Sequence, residues 1–426
     1  MNTFKKLRNA ALFLGMGALI LTSCNDDDDE PCNCPAPPTN NVVKSGFITE
    51  DETWTSDNIY ELAGKVVVDE GATLTIQPGT IIKGREGQNT AASALVITRG
   101  SFINAVGEPD SPIIFTSVID NITVGSTSGT NLEREDNQLW GGVIILGSAP
   151  ISAQDGDTET NIEGIPAEEG YGLYGGTDEE DDSGDFSYVS IRHGGISIGD
   201  GNEINGLTLG GVGNETNISN VEVYATLDDG IECFGGSVNI NNALVYYQGD
   251  DGIDLDMNYS GMISNFAVIH GDGIGTDESL EIDGPENTTY TEGFFTLMNG
   301  ICRIEGADGS AADYKSKAQG TTVNVTHETT NAVKVRASFD DDCTTDEDDA
   351  YTYLVNDSRL SWDDSNFESI EVYTSSDNGA EPPVDCTVPG SYQTAAQGAV
   401  NTNGAGASLD LNAVFGWTLA ASKGQL

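Results

Sequence analysis

From about residue 46 onward, short apolar runs rich in β-branched residues alternate with turns rich in Gly, Asn and Asp, and long amphipathic helical patterns are missing. Examples of these runs are residues 66–68, 73–76, 113–115 and 143–145. Runs of this length and composition, bounded by turn residues, are typical of strands. The pattern therefore predicts an all-β chain.

One pattern returns at a nearly constant interval. Residues 218–224, 240–246 and 263–269 align after 22 and then 23 residues, and the third position is always asparagine: Asn220, Asn242 and Asn265. A period in the low twenties predicts one coil of a solenoid whose strands pair in parallel, whereas a propeller blade repeats at roughly forty residues and a sandwich shows frequent hairpins. Equivalent residues then lie about 4.8 Å apart. We therefore expect an asparagine ladder and interior aliphatic columns.

Several longer stretches carry a family resemblance. Residues 71–83 (Gly-Ala-Thr-Leu-Thr-Ile-Gln-Pro-Gly-Thr-Ile-Ile-Lys), 140–147 and 207–213 resemble those of right-handed parallel β-helix surface lipoproteins of the Bacteroidota. The resemblance runs from about residue 48 to residue 417. It implies a single-stranded right-handed parallel β-helix, a pectate-lyase-like solenoid with a C-terminal cap, and a cell-surface location. It implies no activity, because no reaction is established for that family.

The N-terminus indicates export. A basic stretch precedes an apolar run from Ala10 to Leu21, which ends in a lipobox at Cys24. This order is that of a secretory signal peptide, and the run is too short to cross a hydrocarbon core roughly 30 Å thick. We expect Cys24 to carry acyl chains that anchor the protein in the outer membrane, at the cell surface.

Four segments follow from these observations. We predict a signal peptide over residues 1–23, a lipidated cysteine with an acidic export tag and a Pro-rich tether over 24–45, and a β-helix of roughly thirteen coils over 46–337. Residues 338–426 are expected to be a loop-rich C-terminal region and cap, in which the apolar stretch 409–419 folds over the last coil.

The net charge of −52 makes nucleic acid an unfavourable partner and attracts cations. We expect a monomer. Beyond Cys24, the remaining cysteines allow fifteen complete pairings, and Cys343 with Cys386 is the favoured pair because both lie in polar, loop-like sequence. Cys233 lies in a strand pattern and is expected to be a buried thiol.

Carboxylates repeat with the coil. Residues 228–234, 250–256 and 277–283 align, and strand alternation turns Glu232, Asp254 and Glu281 outward. Unit charges 4.8 Å apart repel by about 0.9 kcal/mol even in water, so the stack requires full hydration, shared protons or a divalent cation. Calcium accepts six to eight oxygens in a tolerant shell. The calcium hypothesis involves Asp228, Asp229, Glu232, Asp250, Asp251, Asp254, Glu278 and Glu281; a solvated acidic face is the alternative.

Two classes of function remain open. The first is a non-enzymatic surface lipoprotein whose rod binds calcium and polysaccharide or matrix, with Tyr224, Tyr246 and Tyr247 as a stacking platform for sugar rings. The second is a polysaccharide lyase or glycoside hydrolase that acts through the stacked carboxylates. Its candidate catalytic residues are Asp251, Asp254, Glu281 and the basic Arg192, with Arg303 as another basic candidate.

The enzyme hypothesis has limited support from local motifs. Residues 248–252 and 193–199 are similar to the acid-pair and histidine strings of polygalacturonases, but here the histidine string comes first, in the reverse order. His193, His270 and His327 form no zinc-ligand spacing. We expect these histidines to be turn or surface residues.

Overall fold

The computed structural model describes residues 40–87, 91–154, 156–199, 202–271, 277–286, 290–306, 309–339, 343, 349–374 and 386–426. Within them, 25 strands form one continuous sheet, and its coil-to-coil pairings are parallel. The chain thus winds into the predicted parallel β-helix. The predicted signal peptide, Cys24, the acidic tag, Cys32 and Cys34 lie outside the described residues.

The continuous sheet has three faces, which we call sheets 1, 2 and 3. Sheet 1 contains β2 (Glu52–Trp54), β4 (Thr73–Ile76), β7 (Phe102–Val106), β22 (Phe295–Met298), β25 (Gly320–Val323) and β28 (Leu360–Asp363). Sheet 2 contains β5 (Ile81–Gly84), β8 (Ile113–Ser117), β23 (Ile301–Ile304) and β26 (Thr326–Glu328). Sheet 3 contains β6 (Ala94–Ile97), β9 (Val143–Leu146), β15 (Leu207–Gly210), β17 (Ile231–Phe234), β19 (Ile253–Asp256), β21 (Leu280–Ile282), β24 (Ala312–Tyr314), β27 (Val333–Arg336) and β29 (Ile370–Tyr373).

Longer strands bend from one sheet into the next. The strands β1 (Asn40–Ile48) and β3 (Asn58–Val68) pass from sheet 2 into sheet 3. Those that pass from sheet 1 into sheet 2 are β12 (Gly184–Arg192), β16 (Asn217–Tyr224), β18 (Asn239–Tyr246) and β20 (Met262–His270). Two short antiparallel pairs stand apart from the solenoid: β10 (Glu159–Asn161) with β11 (Leu173–Gly175), and β13 (Ile196–Gly199) with β14 (Asn202–Ile204).

The asparagine column occupies the bend between sheets 1 and 2. Asn220, Asn242 and Asn265 have φ of 54°, 62° and 54°, the left-handed region that asparagine tolerates better than most residues. The Asn242 side-chain amide donates to Asn220 Oδ1 at 3.0 Å, which confirms the predicted ladder at this step. Asn265 donates to Asn241 Oδ1 at 3.0 Å instead of to Asn242, and it accepts from Asn299 at 2.7 Å.

Replacing Asn242 by alanine is expected to lower the free energy of unfolding by about 2 kcal/mol, because the left-handed backbone becomes strained and the ladder hydrogen bond is lost. Asn242→Gly removes only the hydrogen bond and is expected to cost about half as much. Urea unfolding of both variants measures the difference. Equal losses in the two variants would show that backbone strain contributes nothing.

The solenoid has fewer coils than predicted, and it continues further along the chain than predicted. Eleven strands stack in sheet 3 among the described residues, fewer than the thirteen expected coils, because residues 118–142 and 147–183 leave the coil as long insertions. In the other direction, β28 pairs with β25 and β29 pairs with β27. Parallel pairing therefore continues past residue 337, into the segment predicted to be the C-terminal region and cap.

The last coil is covered by residues 350–357 and 390–399. There α2 (Gly390–Ala399) packs on β29, a π-helical turn (Tyr353–Asp357) packs on β28 and α1 (Ala350–Thr352) packs on β27. Tyr351 stacks on Tyr392 with ring centroids 4.3 Å apart. The predicted disulfide between Cys343 and Cys386 is present in this region. No helix in the described part of the chain is long and apolar enough to span a membrane.

The apolar stretch 409–419 lies elsewhere, so its predicted place over the last coil is wrong. The helices α3 (Leu411–Phe415) and α4 (Leu419–Ser422) pack against the outer face of sheet 2, on Leu244 and Ala267. That face is apolar in the middle coils, and the C-terminal segment buries it. We call residues 405–426 the C-terminal strap.

Candidate functional site

The aligned acidic strings form the turns that lead into three neighbouring strands of sheet 3. Close backbone approach shapes these turns: a Cβ atom at Gly230 would lie 2.5 Å from the Gly252 carbonyl oxygen, and one at Gly252 would lie 2.6 Å from the Ser279 carbonyl oxygen. Glycine is therefore needed at both positions. The tight stacking places each turn carboxylate directly beside its equivalent in the next coil.

The turn carboxylates Asp229, Asp251 and Glu278 form a first column. Asp229 Oδ1 accepts the backbone N–H of Asp251 at 2.8 Å, and Asp251 Oδ1 accepts that of Glu278 at 2.6 Å. Glu278 Oε1 then accepts from Ser310 at 2.6 Å and from Lys334 at 3.1 Å. Each acid thus uses one oxygen to connect coils and leaves its other oxygen for a different partner.

A second column lies on the outward side of the strands themselves. Glu232, Asp254 and Glu281 are in register across β17, β19 and β21, as predicted. The register continues to Asp313 on β24 and then to Lys334 on β27. The outward column therefore contains four successive carboxylates before its charge changes sign.

Most carboxylates of the two columns are buried rather than solvated, whereas Asp254 and Glu281 are half-buried. Asp229, Asp251 and Glu278 are only 7, 4 and 2% exposed, and Glu232 is 7% exposed. The Asn205 side-chain amide covers Glu232 and donates to its Oε2. The alternative of a fully hydrated acidic face is therefore wrong for these side chains, and their charges require another form of compensation.

Burial and mutual repulsion raise the pKa values of these acids. Burial, with Glu203 and Glu163 nearby, raises the pKa of Asp228 to about 8. Burial raises the pKa of Asp313 to about 7 and that of Asp250 to about 6. Burial and neighbouring carboxylates hold the pKa of Asp251 well above its usual range.

Three sets of carboxylates place their oxygens within 4.8 Å of one another. The sets are Asp228 with Asp229 and Asp250, Asp229 with Glu232 and Asp254, and Asp251 with Glu278 and Glu281. Among the described residues, Asp228 Oδ2, Asp254 Oδ1 and Glu278 Oε2 are buried atoms without a hydrogen-bond partner. Oxygen-only groups of this kind suit a hard cation such as Ca²⁺.

A cleft of about 590 Å³ opens beside the second column, and we call it the acidic cleft. Carboxylates and basic side chains share its lining. The lining residues are Gln154, Asp254, Asp256, Glu281, Asp283, Pro285, Glu286, Lys315, Ser316, Lys317, Arg336, Ser338 and Asp349. Lys315 forms an ion pair with Glu281, and Arg336 forms one with Asp349 at 3.3 Å.

Residues 46–418 match the family model of the pectate-lyase-like β-helix domain. The chain belongs to this family. No curated protein and no solved structure matches the chain. Membership in a pectate-lyase-like family fits a polysaccharide-related role.

The candidate catalytic residues of this β-helix protein fall in different places. Asp254 and Glu281 line the acidic cleft, and Asp251 lies in the adjoining turn column. Arg192 does not line it. This side chain is 1% exposed on β12 of sheet 2, where it donates to Ser190 Oγ at 2.7 Å and to the Thr127 carbonyl at 2.8 Å.

Arg303 also lies on sheet 2, paired with Glu328 at 2.6 Å. The basic residues at the acidic cleft are Lys315, Lys317 and Arg336, and none of them is among the candidates predicted from the sequence. A signal for two of them exists: residues 312–315 and 333–336 continue the strand pattern of residues 280–283, with Lys315 and Arg336 at the position of Asp283.

The three tyrosines do not form a sugar platform on the family's β-helix scaffold. Tyr224 and Tyr246 stack with ring centroids 5.2 Å apart, but Tyr224, Tyr246 and Tyr247 are all buried. The C-terminal strap covers part of this stack, and Tyr224 donates its hydroxyl to Gln425 at 3.0 Å. The expectation of exposed stacking rings is therefore wrong.

The histidines are interior residues, so the expectation of surface positions is wrong, but His193 does lie at a turn, directly after β12, with φ of 60°. His193, His270 and His327 are all buried, and burial lowers the pKa of each to about 4. His327 is in register with Cys302 and faces the solenoid core, as does the buried thiol Cys233, which was predicted correctly. Among the described residues, no histidine belongs to a group that can hold a metal ion.

Proposed function

We propose that the two carboxylate columns hold divalent cations, with calcium as the first candidate, and that the acidic cleft beside them contacts polysaccharide. The observation that carries this proposal is that three carboxylate sets place their oxygens within 4.8 Å of one another, while four of their members are buried: Asp229, Glu232, Asp251 and Glu278. Buried like charges at this distance are strongly unfavourable unless protons or cations compensate them.

The proposal extends to the setting of the protein. In this proposal the protein is a non-enzymatic surface lipoprotein, held at the outer membrane by acyl chains on Cys24. The lipobox sequence and the polysaccharide-related family support this reading. Mass spectrometry of the mature N-terminus tests the anchor, because an unmodified Cys24 would contradict it.

Calcium titrated into the purified protein is expected to bind with measurable heat and to raise the melting temperature. Glu278→Gln is expected to weaken binding by about tenfold or more, because the site loses a charged ligand. Isothermal titration calorimetry measures both proteins. Glu328→Gln is the matched control, since Glu328 pairs with Arg303 on sheet 2, outside all three sets. Absence of heat and of thermal stabilisation would reject the calcium site.

A second candidate function is cleavage of an acidic polysaccharide in the same cleft. The basic residues Lys315, Lys317 and Arg336 in its lining favour it, because cationic side chains can bind a uronate carboxylate and stabilise the negative charge that proton abstraction next to it creates. Incubation with polygalacturonate, alginate and neutral glycans, with and without calcium, separates binding from cleavage. Unsaturated products or new reducing ends that disappear in Asp251→Asn and Asp254→Asn would replace the binding proposal with the enzymatic one.

A further inference from the structure

A second cleft, of about 450 Å³, lies at the opposite end of sheet 3. Its lining residues are Phe47, Asp69, Thr98, Arg99, Glu169, Gly170, Tyr171 and Leu173. The volume falls within the range of roughly 300–1,000 Å³ that is typical of small-ligand clefts. We call it the Phe47 cleft.

The Phe47 cleft is on the same outward column as the acidic cleft. Phe47 is in register with Val67, and the column then runs through six further strands to Glu281. Seven steps of about 4.8 Å place Phe47 and Glu281 about 34 Å apart along the rod. The insertion 147–183 covers the apolar strands between them and supplies Tyr171 to one cleft and Gln154 to the other.

An aromatic surface forms one wall of the Phe47 cleft. The Phe47 side chain is 57% exposed, although its column neighbour Val67 is buried in the cluster that the insertion covers. Tyr171 meets the Phe47 ring edge-on, with centroids 5.7 Å apart. A rigid, open aromatic face is a good surface for the apolar face of a sugar ring, which buries ring carbons while its hydroxyls stay polar.

The polar rim selects against anions. Asp69 and Glu169 contribute negative charge, while the Arg99 guanidinium is already paired with Glu159 and donates to the Gly175 carbonyl at 2.7 Å. Carboxylate and hydroxyl groups are good partners for sugar hydroxyls, and the negative rim repels uronates. We infer that the Phe47 cleft binds neutral pyranose units of a polysaccharide.

The test uses the full chain and soluble neutral hexaoses: cellohexaose, xylohexaose, mannohexaose, laminarihexaose and maltohexaose. At least one is expected to bind by calorimetry, and Phe47→Ala and Tyr171→Ala are each expected to weaken it about tenfold. Val43→Ala is the matched control, because Val43 is 50% exposed on the same strand but does not line the cleft. Circular dichroism and melting temperature confirm that each variant is folded.

Each outcome decides the inference. Binding that falls in both aromatic variants and not in Val43→Ala supports it, whereas no binding by any of the five hexaoses overturns it. Sedimentation that shows a dimer lost in Phe47→Ala, without sugar binding, would assign this surface to self-association instead. The result does not depend on the acidic cleft, since a protein that fails to bind calcium can still show Phe47-dependent sugar binding.

Discussion

Replacing Glu222 by alanine is expected to lower the free energy of unfolding by about 3–5 kcal/mol and to release the C-terminal strap. Glu222 is completely buried on sheet 2. Its two carboxylate oxygens accept the first backbone N–H groups of α4, from Leu419 and Ala420, both at 2.9 Å. Its removal leaves those donors buried without an acceptor.

The same carboxylate compensates a buried cation. Ser190 Oγ donates to Glu222 at 2.5 Å and accepts from Arg192, so the acid and the guanidinium are joined through one hydroxyl. Burial lowers the pKa of Arg192, and the negative charge of Glu222 opposes that shift. Without Glu222, the buried guanidinium keeps its two neutral hydrogen-bond partners and loses a compensating negative charge, so that Asp120 is the acid that still favours the charged form.

Limited proteolysis and urea unfolding measure the Glu222 effect. We expect cleavage within residues 405–426 in Glu222→Ala, and a smaller effect in Glu222→Gln, which keeps one acceptor oxygen. Glu133→Ala is the control because Glu133 also holds the strap, through Lys423, but at the surface, where an ion pair contributes little. If Glu222→Ala and Glu133→Ala behave alike, the buried carboxylate does not hold the strap.

The period of the sequence was sufficient to predict the fold and the alignment of the acids. Asn220 with Asn242 and Glu232 with Asp254 lie where a coil of about 22 residues puts them. Local alternation also predicted which strand residues face inward, including Cys233. These features depend only on neighbouring coils, and so the repeat itself encodes them.

Features that depend on distant segments could not be read from the repeat. The burial of Tyr246 depends on residues 134 and 405–426, and the burial of Glu232 depends on Asn205 and the insertion that contains Glu163. The pattern of a strand does not encode which distant segment covers that strand. The sequence therefore suggested an exposed Glu232 and an open tyrosine platform, whereas the structure covers both.

Irregular coil length explains why the basic side of the cleft was missed. The interval from Glu281 to Asp313 is 32 residues, whereas that from Asp254 to Glu281 is 27 and that from Asp313 to Lys334 is 21. A repeat with a fixed interval of about 22 residues therefore does not align Asp313 with Glu281. The prediction of Arg192 depended only on its position in the sequence. Arg192 lies on sheet 2, whereas Lys315 directly follows β24 of sheet 3, where the acidic cleft opens.

Without divalent cations, raising the pH from roughly 5 to 8 is expected to lower the free energy of unfolding by an amount on the order of 3 kcal/mol. Carboxyl groups of the unfolded chain lose their protons near pH 4. In the folded protein, Asp250, Asp313 and Asp228 have pKa values of about 6, 7 and 8. Between these limits the folded state binds more protons than the unfolded state, and stability falls as the pH rises.

Calcium is expected to reverse this trend, because a cation replaces the protons that compensate the columns. Its stabilising effect should then be larger near pH 8 than near pH 5, and binding should release protons. Urea unfolding with chelator or calcium across this range measures the first effect, and calorimetry in two buffers of different ionisation enthalpy counts the protons. Asp313→Asn removes one titrating carboxyl outside the three cation sets, so it should flatten the pH dependence while calcium still binds. Stability that rises with pH in chelator would mean that the buried acids are already ionised and compensated by the protein alone.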